Sequence, residues 1–274
     1  MVKIMQRKHI INIIKKEWYL VIKDPNSIMM ITALPLLILG QAILYVWLID
    51  NFGGQAISQN SFFLTVLEKL QNIYPAAADL SPSDQLKLLL LTQFNLYLLL
   101  IPTMIAMNSA AFSIVEEKMS KSLEPLLATP VTTKELLIGK ALSGAIPALI
   151  ITWICAIIFV AAVFGIGWGY LTNILLTPSW FISLLILTPA ITLLSFLLGV
   201  IGSSRAHDAR NAQNGALLII FPLFLLIALQ VTGIIWFTAI NTLIFGLILI
   251  VVNYLVLRLA VRIFNRESII VNWQ

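Results

Sequence analysis

The sequence predicts an all-α integral membrane protein with six transmembrane helices, both termini cytoplasmic, an amphipathic N-terminal helix at the interface and a short helix between spans two and three. Three observations carry that expectation. Of 274 residues, 60% are hydrophobic and 11% charged, with a mean hydropathy of +0.98, against roughly half apolar and a quarter charged in soluble domains. The apolar residues gather in charge-free stretches long enough to cross a bilayer. The basic residues collect between alternate stretches.

The elements follow in chain order, as one transmembrane domain over 1–274. In residues 1–24, Ile10, Ile14, Trp18, Val21 and Ile22 share one helical face while Lys8, Lys15 and Lys16 lie elsewhere, the pattern of a helix resting on the inner leaflet, where anionic lipid also attracts the lysines. The first apolar stretch begins near Ser27, too late for an ordinary signal peptide, and no small-x-small cleavage site follows, so the N-terminus is expected to stay attached.

A span needs roughly 20 apolar residues, and Lys, Arg or Asp at its centre costs about 2.5–3.5 kcal/mol. On that basis the first span is 27–49. An external loop, 50–87, contains "SFFLTVLEKLQNIY", whose Phe62, Phe63, Val66, Leu67 and Leu70 fall on one face of a short helix lying on the membrane or capping the protein. The second span is 88–114, with Pro102 as an expected kink. Two double-length stretches follow. "GIGWGYLTNILLTPSW" divides spans 141–164 and 181–202, and "GIIWFTAINT" divides spans 214–235 and 240–262, placing Trp236 and Phe237 at a membrane boundary.

This arrangement puts fifteen of the seventeen Lys and Arg residues on one side, leaving only Lys69 and Lys87 on the other. By the positive-inside rule the crowded side, with both termini, is cytoplasmic. The net charge of +5 and pI near 9.4 come from residues scattered between spans, so nucleic acid is not an expected partner. The single cysteine, Cys155, lies within an apolar run and reads as a small packed hydrophobe.

Catalysis has little to stand on. His9 and His207 sit in basic segments without the spacing of a metal site, and there is neither a GxSxG elbow nor a GxxxxGK[ST] phosphate loop. No catalytic residue, metal ligand or cofactor site is expected in this chain. Ion-driven transport usually needs ionisable groups held within the spans, and none stands at mid-span; Arg258 and Arg262 lie near the end of the last helix, where they can snorkel. Among the amides of the spans, Gln41, Gln93, Asn108, Gln230 and Asn253 could line a path. Gln41, Asn108 and Gln230 are the candidates for lining a path, although bonding between helices is the commoner use of such side chains.

The loop 116–140, "EEKMSKSLEPLLATPVTTKELLIGK", holds eight of the chain's twenty-nine charged residues. Leu123, Leu126 and Leu127 recur at helical spacing, Pro130 ends that helix, and Thr132 with Glu135 has the capping-box spacing that opens another. Periodicity alone leaves two uses open: leucines packed on a partner, or leucines resting on the bilayer.

The segment "VEEKMSKSLEPLLATPVTTKELLIGKAL" resembles the first cytoplasmic loop of ABC-2 type permeases, whose pattern runs roughly "EKExGTLExLLxTPVxxxELLxGK". The first acid falls on Glu117, "LE" on Leu123 and Glu124, "LLATPV" on 126–131 and "ELLIGK" on 135–140. Met119, Lys121 and Ser122 depart from it. "KKEWYLVIKDPNSIMMITALPLLIL" resembles the family's basic helix, "RDP"-like turn and first span, and "SSRAHDARNAQNGALLIIFPL" its loop before the fifth. The resemblance implies the permease subunit of an ATP-driven exporter in the cell membrane, working with a second permease copy and with a separate ABC ATP-binding protein that holds ATP and Mg. It also implies that Glu117, Leu123, Glu124, Leu126, Leu127, Thr129 and Pro130 couple the two proteins. A membrane scaffold or sensor that recruits a cytoplasmic partner through the same loop is the alternative.

Overall fold

The computed structural model describes residues 2–52, 60–119, 133–205 and 217–263, and every element among them is helical. The first two helices, α1 (Val2–Lys23) and α2 (Pro25–Phe52), are separated by Asp24 alone. Its carboxylate accepts from the Ser27 amide at 2.9 Å and the Ser27 hydroxyl at 2.6 Å. A carboxylate bonded to the third amide of a helix that opens on proline is an N-cap, and proline fits there because its missing N–H would have had no helical acceptor. The "KDPNS" sequence therefore ends one helix and starts the next without a loop.

The capping helix expected in 50–87 is α3 (Ser61–Ile73). Asn60 accepts from the Phe62 amide at 3.0 Å, and Val66, Leu67 and Leu70 are buried, packed against α4 (Pro82–Met119). That helix starts earlier than the charge-free stretch suggested. Lys87 does not stop it, because its ammonium pairs with Asp84 at 2.6 Å one turn back and is largely buried there.

The remaining chain runs through α5 (Thr133–Gly165), α6 (Gly169–Leu175), α7 (Pro178–Ile182), a π-helical stretch over Ser183–Leu187, α8 (Thr188–Arg205), α9 (Leu217–Val231) and α10 (Ala239–Ile263). Both expected divisions fall at turns built on a glycine in the left-handed region, Gly167 (φ 97°) and Gly233 (φ 66°), which residues with a Cβ rarely adopt. Beyond the second turn, Trp236 packs edge-on to Tyr74 below α3, their ring centroids 6.4 Å apart.

Among the described residues, five helical stretches are long and apolar enough to cross a membrane: Ser27–Ile49, Pro82–Ala110, Glu135–Gly165, Pro178–Ser203 and Ala239–Arg262. The expected span 214–235 falls on α9, whose 15 described residues reach about 22 Å at 1.5 Å each, short of a hydrocarbon core of roughly 30 Å. The preceding residues, 206–216, lie outside the described ones.

The bundle is organised around α4. Its most apolar window is 78% buried, against 18% in α2 and 17% in α10, because α2, α5, α8 and α9 all pack on it. Phe94 stacks on Phe159 of α5 with centroids 3.8 Å apart. On the other side of α4, Leu96 and Leu99 share a core with Ile191 of α8 and Leu223 and Ile227 of α9.

Candidate functional site

Six of the seven expected coupling residues, Leu123, Glu124, Leu126, Leu127, Thr129 and Pro130, lie outside the described residues, as does Thr132. Glu117 falls in the last turns of α4, and its side chain is likewise outside the description. The structure does describe α5, into which this segment leads, and α1, which is docked against it.

That docking rests on three contacts. First, Lys140 Nζ lies 3.0 Å from Glu17 Oε1, with the two side chains 1% and 7% exposed. Glu17 is the only acid in a basic helix of 22 residues. Removing one member of such a buried pair strands the other charge, which typically costs about 3–5 kcal/mol.

Second, the Trp18 indole N–H donates to the Ser143 carbonyl at 2.9 Å. Pro147 lies inside α5 four residues after Ser143 and has no N–H to give, so the Ser143 carbonyl lacks its helical donor. A tryptophan 125 residues away in sequence supplies the bond instead. Third, a Cβ on Gly139 would lie 3.0–3.2 Å from side-chain carbons of Ile13. A side chain at position 139 would press on Ile13, which would have to give by a few tenths of an ångström, so glycine lets α1 settle this closely on α5.

The Gly-Lys at the end of "ELLIGK" thus has a physical use: glycine admits α1 and lysine holds it. The dock draws on Ile13 and Glu17 of α1, outside the expected apolar stripe, and on Trp18 within it. Ile22 is 69% exposed and Trp18 half-exposed, while the buried side runs through Glu17. A lone acid among lysines was the available sequence signal, but nothing local pointed to Lys140.

The three expected path-lining amides have different surroundings. Asn108 is buried and lines a cleft bounded by α1, α2, α4 and α5. Gln41 faces outward on α2 and donates to the Tyr45 hydroxyl at 2.9 Å. Gln230, on α9, is buried, and its Oε1 has no hydrogen-bond partner among the described residues. Only Asn108 of the three borders the cleft. Gln93 is buried with neither amide atom bonded among the described residues. Asn253 takes the helix-bonding role, donating to the Ala190 carbonyl of α8 and to Leu249, both at 2.8 Å.

At the opposite end of the bundle, the Tyr170 hydroxyl donates to Asp84 at 2.8 Å. Burial, then that hydrogen bond, raise the Tyr170 phenol above its ordinary value, so it remains a neutral donor at physiological pH. Among the described residues no three His, Cys, Asp or Glu side chains come together as a metal site.

The model of the family described as "ABC-2 family transporter protein" matches residues 11–261, all but the first ten and last thirteen. The chain belongs to the ABC-2 family of transporter proteins. No curated protein matches it. As an ABC-2 protein it is a multi-pass membrane component of a transporter and is not itself catalytic. The match contains every residue of the α1–α5 dock.

Proposed function

We propose that this ABC-2 chain is the permease subunit of an ATP-driven exporter in the cell membrane, with six spans, both termini cytoplasmic, and a second permease copy beside it. The fifth of these spans is the expected 214–235, in which α9 lies. A separate ABC ATP-binding protein holds ATP and Mg and meets the permease at 116–140, through Glu117, Leu123, Glu124, Leu126, Leu127, Thr129 and Pro130. Closure of the ATPases pushes that segment, and the push opens the path between the two permease copies.

The observation that best supports the coupling is the dock of α1 on α5. A surface helix anchored only by lipid would absorb a push at the adjacent loop. One fixed by a buried ion pair, a tryptophan bond and a glycine contact moves with the span it is fixed to. Apolar residues at helical spacing with one acid offer the partner a packed surface and a charge-assisted bond.

The test is co-expression with a candidate ABC ATPase and reconstitution. Wild-type complex should co-purify and hydrolyse ATP faster with substrate, whereas Leu126→Asp and Glu124→Lys should lose both properties while the chain still expresses. Intact co-purification and hydrolysis in both variants would instead make the loop a connector. A partner that binds without any ATPase activity would favour the scaffold.

A further inference from the structure

The apolar window of α2 is only 18% buried, and its two sides differ with a seven-residue period. Leu39 and Val46, one heptad apart, are buried against the bundle. Leu37, Gln41, Leu44 and Leu48, at spacings of four, three and four, are exposed on the opposite side. In a heptad written abcdefg, the first two hold f and the other four hold d, a, d and a, the seam along which two helices interdigitate. The protomer therefore grips α2 from behind and leaves its seam facing outward.

Three of the four seam residues are leucines, which lipid satisfies as well as a partner does. Gln41 is different. It lies near the middle of Ser27–Ile49 and is, among the described residues, the one exposed amide deep within an apolar window. Its Nε2 donates to the Tyr45 hydroxyl at 2.9 Å, but its Oε1 and the Tyr45 proton have no partner among the described residues. Hydrocarbon offers them none. The comparably exposed α10 presents Leu243, Leu247, Ile250 and Leu255 outward, a face that lipid covers without loss.

We propose that α2 pairs in parallel with α2 of a second copy of this chain, through Leu37, Gln41, Leu44 and Leu48. The unmet groups are complementary to themselves, a free acceptor beside a free donor. Two copies inserted the same way are related by an axis along the membrane normal, so each residue meets its counterpart at its own depth. In such a pair a faces a, and g lies against e of the other helix. Gln41 then meets the partner's Gln41, and Gly40 at g receives the partner's Tyr45 at e. A Cβ on Gly40 would have nothing within 4 Å in the protomer, which leaves that space for the ring. Each Tyr45 proton is then available to Gln41 Oε1 across the pair, and every one of these polar groups is bonded. The pairing gives the second permease copy a place to bind, and it rests on the permease reading for that copy's role in transport.

The test uses the full chain with Cys155→Ser. On copper-phenanthroline oxidation in cell membranes, Leu44→Cys, at a d position, should give a disulfide-linked dimer, and Val251→Cys, exposed on α10, should not. Energy transfer between chains fused to donor and acceptor fluorophores in liposomes should show a dissociation constant about tenfold higher for Gln41→Leu, since one substitution removes a bond from each side. Gly40→Trp should abolish the Leu44→Cys crosslink while leaving helical content at the wild-type value. A crosslink through Val251→Cys alone, or one that needs both cysteines in the chain, would put α10 at the interface and overturn the seam. Dimers as strong in Gln41→Leu and Gly40→Trp as in wild type would overturn it too, and would leave the permease reading with its second copy held elsewhere. A wild-type chain that stays monomeric in liposomes would overturn the seam and remove a second copy of this chain from that reading.

Discussion

Glu17 and Lys140 form a buried ion pair across 123 residues of sequence, at 3.0 Å, and it ties a helix outside the apolar spans to the third of them. Two charges share an enclosed space there, so their energetics should be those of a unit. Glu17→Leu or Lys140→Met alone is expected to lower stability by about 3–5 kcal/mol, and the double variant to recover most of that loss. Thermal unfolding of the four proteins in detergent completes the cycle. Additive single losses would show that the two residues act independently.

Trp18 and Pro147 act through one carbonyl. Pro147→Ala returns an N–H to α5 that competes for Ser143, and Trp18→Phe removes the indole donor, so each should weaken the dock by about 1 kcal/mol. Their combination should cost less than the sum, because both remove the same bond. Crosslinking between cysteines placed on α1 and α5 reads this directly, and strict additivity would count against a shared acceptor.

Gly139→Val should force α1 away from α5, since its Cβ would press on Ile13, at a cost of about 1–3 kcal/mol. Ile13→Ala in the same chain should restore much of the loss. A Gly139→Val protein as stable as wild type would mean that the contact yields freely.

Orientation has its own test in a Cys155→Ser background. Asn60 and Asn12 are both exposed, and the distribution of basic residues places them on opposite sides. An impermeant maleimide should modify Asn60→Cys in intact cells and Asn12→Cys only after permeabilisation. The reverse pattern would invert the topology.

What the sequence revealed and what it hid divide along the range of the forces involved. The glycine turns at 167 and 233 and the amphipathic stripe of Val66, Leu67 and Leu70 are local patterns, and each stands where it was expected. The start of α4 was misplaced because Lys87 was taken as a boundary, when Asp84 and Tyr170 let the helix run past it. The dock was illegible because Glu17, Trp18 and Ile13 find their partners more than a hundred residues away. For the same reason Asn108, one of several similar amides in the spans, gained its distinction only when four helices closed around it.

The central place of α4 also bears on how the protein is made. Chain order delivers α4 to the membrane before α5, α8 and α9, three of the helices that cover it. During synthesis its Thr92, Gln93, Thr103 and Asn108, all buried in the finished protein, must wait in contact with lipid, the insertion machinery or a folding helper. Assembly is therefore completed from the C-terminal half, and a ribosome that stops before α8 releases a fragment whose most interior helix lacks the cover of α8 and α9, a clear mark for membrane quality control.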